Sequence, residues 1–333
     1  MGEARTGVHT GETLGAYQLR DLVGSGGAAE VYRGVDTMLK REVAVKVLLP
    51  ELSQDHEFIR RFRGEARRVA ALQHPHIVPV YQYGEEQGCL YLVMPLLTGG
   101  SLRERLRRQR RLGPQTAVRI ALQIAAALDA AHATQLIHRD VKPENILFNS
   151  QGEALLTDFG LARDLPPPQL VGEVWSRYNT TGVFGIPVGT PEYMAPEQFQ
   201  RMTNLDERVD VYALGVVLYE MLTGRVPFTG TPIELAERAS ARVCPPPSAL
   251  APSVWPVLDA PVMRSLAVDP EERFASAAEF ATALYQATGA LSPSGTELAL
   301  VPAAGVTGSF AGDASLARRP RRTTLPVLME PAD

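Results

Sequence analysis

Within His138-Arg139-Asp140-Val141-Lys142-Pro143-Glu144-Asn145 the chain gathers a carboxylate, an ammonium and an amide, and Asp158-Phe159-Gly160 follows shortly after. These groups suit transfer of a phosphoryl group from a nucleotide to a hydroxyl. Asp140 can take the proton of an attacking hydroxyl, and Lys142 can steady the charge on the moving phosphate. Asn145 and Asp158 offer hard oxygens to Mg2+, an ion that favours oxygen ligands in octahedral geometry. The apolar run Ile146-Leu147-Phe148 separates the two groups and argues against a polar surface turn.

Several elements must position these residues. Alternation over Tyr17-Gln18-Leu19-Arg20-Asp21-Leu22-Val23 predicts a strand. It runs into Gly24-Ser25-Gly26-Gly27-Ala28-Ala29-Glu30-Val31-Tyr32, from which a second strand leaves. Glycines at such a turn let backbone N–H groups approach phosphate oxygens with no Cβ in the way. Val43-Ala44-Val45-Lys46-Val47 alternates as a further strand around one lysine. Phe58, Phe62, Ala66, Val69 and Leu72 recur at helical spacing, arginines cover the other faces, and Pro75 closes the helix. Strands are expected over 77–83 and 90–94. Ser101 caps a helix carrying Arg103, Arg105, Arg107, Arg108, Arg110 and Arg111, a solvated face or a docking surface for acidic partners. Thr116 to Ala133 is a long Ala/Leu/Ile helix leading into the polar cluster, and further helices are expected over 211–222 and 277–287.

Composition bounds the rest. The chain has 333 residues, 45% hydrophobic and 21% charged, as in ordinary globular protein. A net charge of −4 gives no footprint for nucleic acid. Two distant cysteines, Cys89 and Cys244, argue against a disulfide framework or zinc site and for a reducing, cytoplasmic setting. No apolar run approaches the roughly 20 residues of a membrane span. Met1-Gly2 opens a loose, weakly specific match to a myristoylation pattern. Residues 1–14 read as a disordered arm and 289–333 as a flexible tail of Gly, Ala, Pro, Ser and Thr.

The ordered motifs resemble those of eukaryotic-like (Hanks-type) protein serine/threonine kinases, in their bacterial branch, over roughly residues 15 to 287. The resemblance rests on the Gly24-to-Tyr32 turn, Lys46, the His138-to-Asn145 loop, Asp158-Phe159-Gly160, and Gly189-Thr190-Pro191 running on to Ala195-Pro196-Glu197. It implies an α+β, bilobal kinase fold. A five-stranded antiparallel lobe with one main helix (15–97) is hinged to a larger, mostly helical lobe (98–288).

ATP would lie between the lobes, against Gly24, Ser25, Gly26, Gly27, Val31, Ala44, Lys46, Met94, Pro95, Leu97 and Leu147. Met94 would stand behind the adenine. Lys46 would grip the α- and β-phosphates and pair with Glu65, or with Glu57 as the fallback. Asp140 and Lys142 would act on the acceptor and the γ-phosphoryl group, while Asn145 and Asp158 hold Mg2+, with Mn2+ as an alternative. Glu197 would pair with Arg273, and Asp210 would accept N–H bonds from the catalytic loop. Thr180 and Thr181 are the expected regulatory phosphosites. Lys142 with Gly189-Thr190 points to Ser/Thr hydroxyls of protein substrates, with self-association as a route to autophosphorylation. Two departures stand out: Ala29 where the family has a third glycine, and Pro95 where an acidic residue is common. A scaffold that had lost catalysis would lack Lys46, Asp140, Asn145 or Asp158, and all are present. A small-molecule phosphotransferase would lack the segment ending in Ala195-Pro196-Glu197.

Overall fold

Alternating burial along the amino-terminal strands builds a sheet with two different faces. The computed structural model describes residues 6–26, 29–49, 56–159, 191–199, 205–230, 234–235 and 244–289. Within them β1 (Thr13–Leu14), β2 (Tyr17–Ser25), β3 (Ala29–Asp36), β4 (Arg41–Leu48), α1 (His56–Ala71), β5 (Gln82–Glu86) and β6 (Cys89–Pro95) form the first lobe. The strands pair antiparallel in the order β1-β2-β3-β4-β6-β5.

Side chains of successive strand residues point to opposite faces. Val43, Val45 and Val47 therefore pack with Leu14, Tyr17, Leu19 and Tyr32 on one face. Ala44 and Leu48 share the other with Phe62 and Ala66 of α1, Leu92 and Met94. Lys46 falls between Ala44 and Leu48 in that alternation, so the pleat alone aims it at the α1 side.

Two expectations change. The sheet has six strands rather than five, because Leu14 at the end of the expected arm is fully buried and Thr13–Leu14 pairs with β2. The strand expected over 77–83 lies at Gln82–Glu86 instead. Pro79 lacks an N–H, which weakens a continuous ladder through this stretch. Val78 N–H instead donates to Leu156 O at 2.9 Å, and Leu156 N–H donates to His76 O at 2.8 Å. This segment thus fastens the first lobe to the second.

The second lobe is built on α2 (Leu102–Gln109), α3 (Pro114–His132), β7 (Ile146–Phe148), β8 (Ala154–Leu156), α4 (Pro196–Phe199), α5 (Arg208–Thr223), α6 (Pro247–Leu250), α7 (Asp259–Ser265) and α8 (Ala277–Gly289). Ser101 starts α2 through a capping box: Glu104 N–H donates to Ser101 Oγ at 3.2 Å and Ser101 N–H to Glu104 Oε2 at 3.1 Å. Helix α5 is buried continuously from Val209 to Leu222, so it is a central core helix rather than an amphipathic surface one. Helices α3 and α8 pack beside it. Gly215 lets α5 approach α7 closely.

A Cβ at Gly215 would lie 2.1 Å from Ser265 Oγ and 2.9 Å from Ser265 Cβ. Gly215→Ala should lower stability by about 1–3 kcal/mol, the usual scale of overpacking. Urea denaturation checks this, and adding Ser265→Gly should recover part of the loss.

Candidate active site

The catalytic loop leaves α3 and enters β7 by way of a left-handed residue. Arg139 has φ 62°, a conformation sparsely populated by non-glycine residues. It is held by one carboxylate. Asp210, wholly buried at the start of α5, accepts N–H bonds from His138 at 2.8 Å and Arg139 at 2.7 Å. Its Oδ2 also lies 2.8 Å from His132 Nε2, on the last turn of α3. Burial alone would raise the Asp210 carboxyl, but His132, His138 and the loop amides hold it below the usual range.

His138 is the hub of the loop. Its Nδ1 accepts from Asp140 N–H at 3.2 Å and its Nε2 lies 2.9 Å from Thr157 O. Those two bonds require the neutral tautomer with hydrogen on Nε2. Burial pushes its pKa down, in keeping with that form. The ring packs on Phe159 with centroids 4.7 Å apart, linking the loop to the Asp158 turn.

Around Asp140 the side chains converge. Lys142 Nζ lies 2.9 Å from Asp140 Oδ2. Asn145 Nδ2 donates to Asp140 O at 2.8 Å and to Asp140 Oδ2 at 3.1 Å. Asn145 thereby commits its amide hydrogens to the loop and keeps Oδ1 as an acceptor. The β7–β8 hairpin pairs Ile146 with Leu156, and Thr157 N–H donates to Asn145 O at 2.9 Å. The ladder thus brings Asn145 beside Asp158, although they are well separated in sequence.

Asp158 has φ 61°, and its Oδ1 lies 2.8 Å from Lys46 Nζ. Burial would raise its carboxyl, but the Lys46 ammonium outweighs that and lowers it. Two hard oxygen donors, Asn145 Oδ1 and the Asp158 carboxylate, fit a small divalent cation that takes its remaining ligands from phosphates and water. Among the described residues no cluster of three or more metal-ligating side chains forms an all-protein cage.

The cleft above is lined as the strands dictate. Met94 pairs with Ala44 across β4–β6, and Pro95 pairs with Val43. Val31, Leu96 and Leu97 pack partly buried against that apolar cluster, which includes Leu155. Leu147 is half-buried on β7 and bridges to Ser101. Gly24 and Ser25 end β2, and just beyond it Gly26 N–H donates to Ala29 O at 2.9 Å. Ala29 is buried at the first position of β3, so a side chain is accommodated there. Glu65 lies 3.7 Å from Arg68, while Lys46 is paired to Asp158. Gly27, Gly160, Thr180, Thr181 and Thr190 lie outside the described residues.

Farther from the cleft, Arg273 meets Glu197 in a two-pronged pair, Nη1–Oε1 2.6 Å and Nη2–Oε2 2.7 Å. It also donates to Ala267 O at 2.7 Å and Val268 O at 3.0 Å. A second cation, largely but not fully buried, escaped the sequence reading. Arg103 turns inward to Glu144, Glu220 and Tyr193. Arg105 lies over the Phe148 ring at 3.2 Å, so part of the basic face of α2 is structural. The available signal was the spacing: Arg103 adjoins Leu102 and precedes Leu106 by one turn, and both leucines are buried. His132 was likewise missed, because only the approach of α5 gives it a carboxylate.

This two-lobed arrangement sets a lysine–aspartate pair facing an aspartate–lysine–asparagine cluster, a set of groups suited to phosphoryl transfer. The family model for the protein kinase domain matches residues 17–279, and the chain belongs to the protein kinase family. The serine/threonine-protein kinase PknE of Mycobacterium bovis is 41% identical over 277 residues, covering 83% of this chain and 47% of that protein. PknD of Mycobacterium tuberculosis is 42% identical over 279 residues, 83% of this chain and 40% of that protein. The chain thus spans about half the length of the curated relatives it matches. The crystal structure of the M. tuberculosis PknI kinase domain aligns with a TM-score of 0.65 at 31% identity, covering 85% of this chain and 100% of that one. The family uses ATP with a divalent metal. Among the described residues no helix is long and apolar enough to cross a membrane.

Burial would lower the pKa of His132, but its bond to Asp210 raises it above the ordinary value. A raised native pKa stabilises fully below the unfolded value, about 6.5, and that contribution is lost as pH rises through the native value. His132→Gln keeps a donor without the charge. The Tm gap between wild type and His132→Gln should be widest near about pH 6 and narrow toward about pH 9. A gap equal at both pH values would contradict the charged His132–Asp210 pair.

Proposed function

We propose that the domain is an ATP-dependent protein serine/threonine kinase, moving the γ-phosphoryl group of ATP to Ser or Thr hydroxyls of proteins. The observation that carries this reading is the convergence of Lys142 and Asn145 on the Asp140 carboxylate, opposite the Lys46–Asp158 pair. Asp140 orients the acceptor hydroxyl and receives its proton. The hydroxyl oxygen bonds to the γ-phosphorus as the bond to the β-phosphate oxygen breaks, and ADP leaves. Lys142 neutralises charge on the γ-phosphoryl oxygens. Lys46 holds the α- and β-phosphates, with Glu65 its partner when nucleotide is bound. Asn145 and Asp158 hold the metal, which we assign as Mg2+, with Mn2+ as the substitute. Bound there, the cation neutralises charge on the nucleotide phosphates. The protein's share is chiefly placement and electrostatic stabilisation.

Val31, Ala44, Met94, Pro95, Leu97 and Leu147 form the adenine slot in this reading, and Gly24, Ser25, Gly26 and Gly27 cover the phosphates. Lys142 and Gly189-Thr190 support Ser/Thr over Tyr. Self-association brings one copy's Thr180 and Thr181 to another's active site, where each phosphate added supplies negative charge and acceptor oxygens that an arginine such as Arg139 can bind. A cytoplasmic setting is supported by the free thiols of Cys89 and Cys244.

Asp140→Asn should leave nucleotide binding near wild type and lower turnover by about 10²–10⁴-fold. Labelled ATP with an added protein acceptor measures this, and near-wild-type transfer by the variant would remove Asp140 from the role given. Replacing Thr180 and Thr181 together by Ala should lower phosphorylation of a separate substrate. Full activity, with no phosphate mapped between Leu161 and Val188, would exclude the switch.

A further inference from the structure

Helix α2 carries arginines on most of its surface, and one of them ties three other elements together. Arg103 is mostly buried, and each nitrogen of its guanidinium goes to a different element. Nε donates to Glu144 Oε1 at 2.7 Å, in the catalytic loop four residues past Asp140. Nη1 donates to Glu220 Oε1 at 2.6 Å, on α5. Nη2 donates to the Tyr193 hydroxyl, in the stretch that joins Gly189-Thr190 to Ala195-Pro196-Glu197. Tyr193 passes its own hydrogen to Glu220 Oε2 at 2.5 Å, so the ring of bonds closes. The Arg103 guanidinium also lies 5.8 Å from the Tyr193 ring centroid.

The legs of this cluster differ in strength. Glu144 is 41% exposed, so its pair is screened by water, whereas Glu220 is 11% exposed and its pair is not. Two carboxylates around one guanidinium leave a net negative charge that needs the cation in place. Burial would lower Arg103, yet Tyr193, Glu144 and Glu220 raise it. Burial, followed by Glu220, pushes the Tyr193 phenol up, keeping it a donor. A planar fork suits three partners in three directions; a lysine ammonium has no such fixed geometry.

We propose that Arg103 is a positioning residue for phosphoryl transfer: through one guanidinium, α2 fixes the catalytic loop and the peptide-facing stretch at Tyr193 to the rigid core helix α5. This rests on the kinase reading above. Four residues span at most about 14 Å of chain, so Glu144 lies within that reach of Asp140. A shift of the Glu144 turn therefore reaches the acceptor hydroxyl, while the nucleotide, held from the opposite side by Lys46 and the β2–β3 turn, is untouched.

The test uses the full chain with Arg103→Ala and Arg103→Lys. Arg103→Ala should lower kcat/KM for a protein acceptor by about 10–10²-fold, the scale of a roughly 1 Å misplacement, with KM for ATP unchanged. Added methylguanidinium should restore part of that loss, because the vacated site keeps both carboxylates and the phenol. Arg103→Lys should recover less than the ion does. An equal fall in ATP affinity, or a loss that methylguanidinium leaves unchanged, would overturn the proposal. Amide hydrogen exchange keeps it testable without turnover. Exchange should quicken at Val141 to Asn145 and around Tyr193 in Arg103→Ala, with β4 and β6 unchanged. Unchanged exchange at Tyr193 and the loop would also overturn it. A wild type that binds ATP but transfers no phosphate, yet shows this exchange pattern, would instead refute the kinase reading and leave the Arg103 tether standing.

Discussion

A single buried carboxylate, Asp210, sets the catalytic loop in place. Removing an ion from water costs several kcal/mol, and that cost is recovered only with close partners. Asp210 finds them in the amides of His138 and Arg139 and in the His132 ring. Because those amides point at one group, Arg139 stays at a positive φ that a free loop would leave. The neutral His138 follows from the same arrangement, since its ring then bonds Asp140 N–H and Thr157 O without carrying charge. Asp140 is thus placed by backbone constraint together with the bonds of its carboxylate to Lys142 and Asn145.

The other half of the site depends on β geometry. The β7–β8 hairpin is only three residues per strand, but its ladder joins the Asn145 carbonyl to Thr157 N–H and sets Asp158 beside the loop. Across the cleft, strict alternation along β4 sends Lys46 to the α1 side with Ala44 and Leu48. The two meet as the Lys46–Asp158 pair at 2.8 Å. The Val78–Leu156 and His76–Leu156 bonds run between the lobes close to that point, so strand position and site geometry are coupled.

Two arginines of the second lobe show how packing assigns different tasks to one residue type. Arg273 is 2% exposed, and its two-pronged pair with Glu197 and its bonds to backbone carbonyls leave little unsatisfied. Such a pair fixes the end of the Ala195-Pro196-Glu197 stretch rather than adding much net stability. Arg103 instead distributes its donors over three separate elements. The first anchors one segment to the core, whereas the second joins three elements at one point.

The chemistry was legible in the chain because motif spacing is local: Asp140, Lys142 and Asn145 sit in one turn, and a strand-bound Lys46 follows from alternation. Helices 56–71, 114–132 and 208–223 were legible from their apolar patterns for the same reason. What a sequence pattern lacks is the identity of the neighbour across space. It could not show that Leu14 finds a place in the sheet, or that the stretch from Ile77 would be drawn to Leu156 instead of extending a strand. Nor could it separate Arg103 from Arg105, Arg107 and Arg108 on α2, since a guanidinium reads alike whether solvated or surrounded by carboxylates. The sequence determined which chemical groups the candidate site contains. Only the tertiary structure decided which charges are desolvated and therefore paired, because desolvation is a property of the packed neighbours and not of the residue.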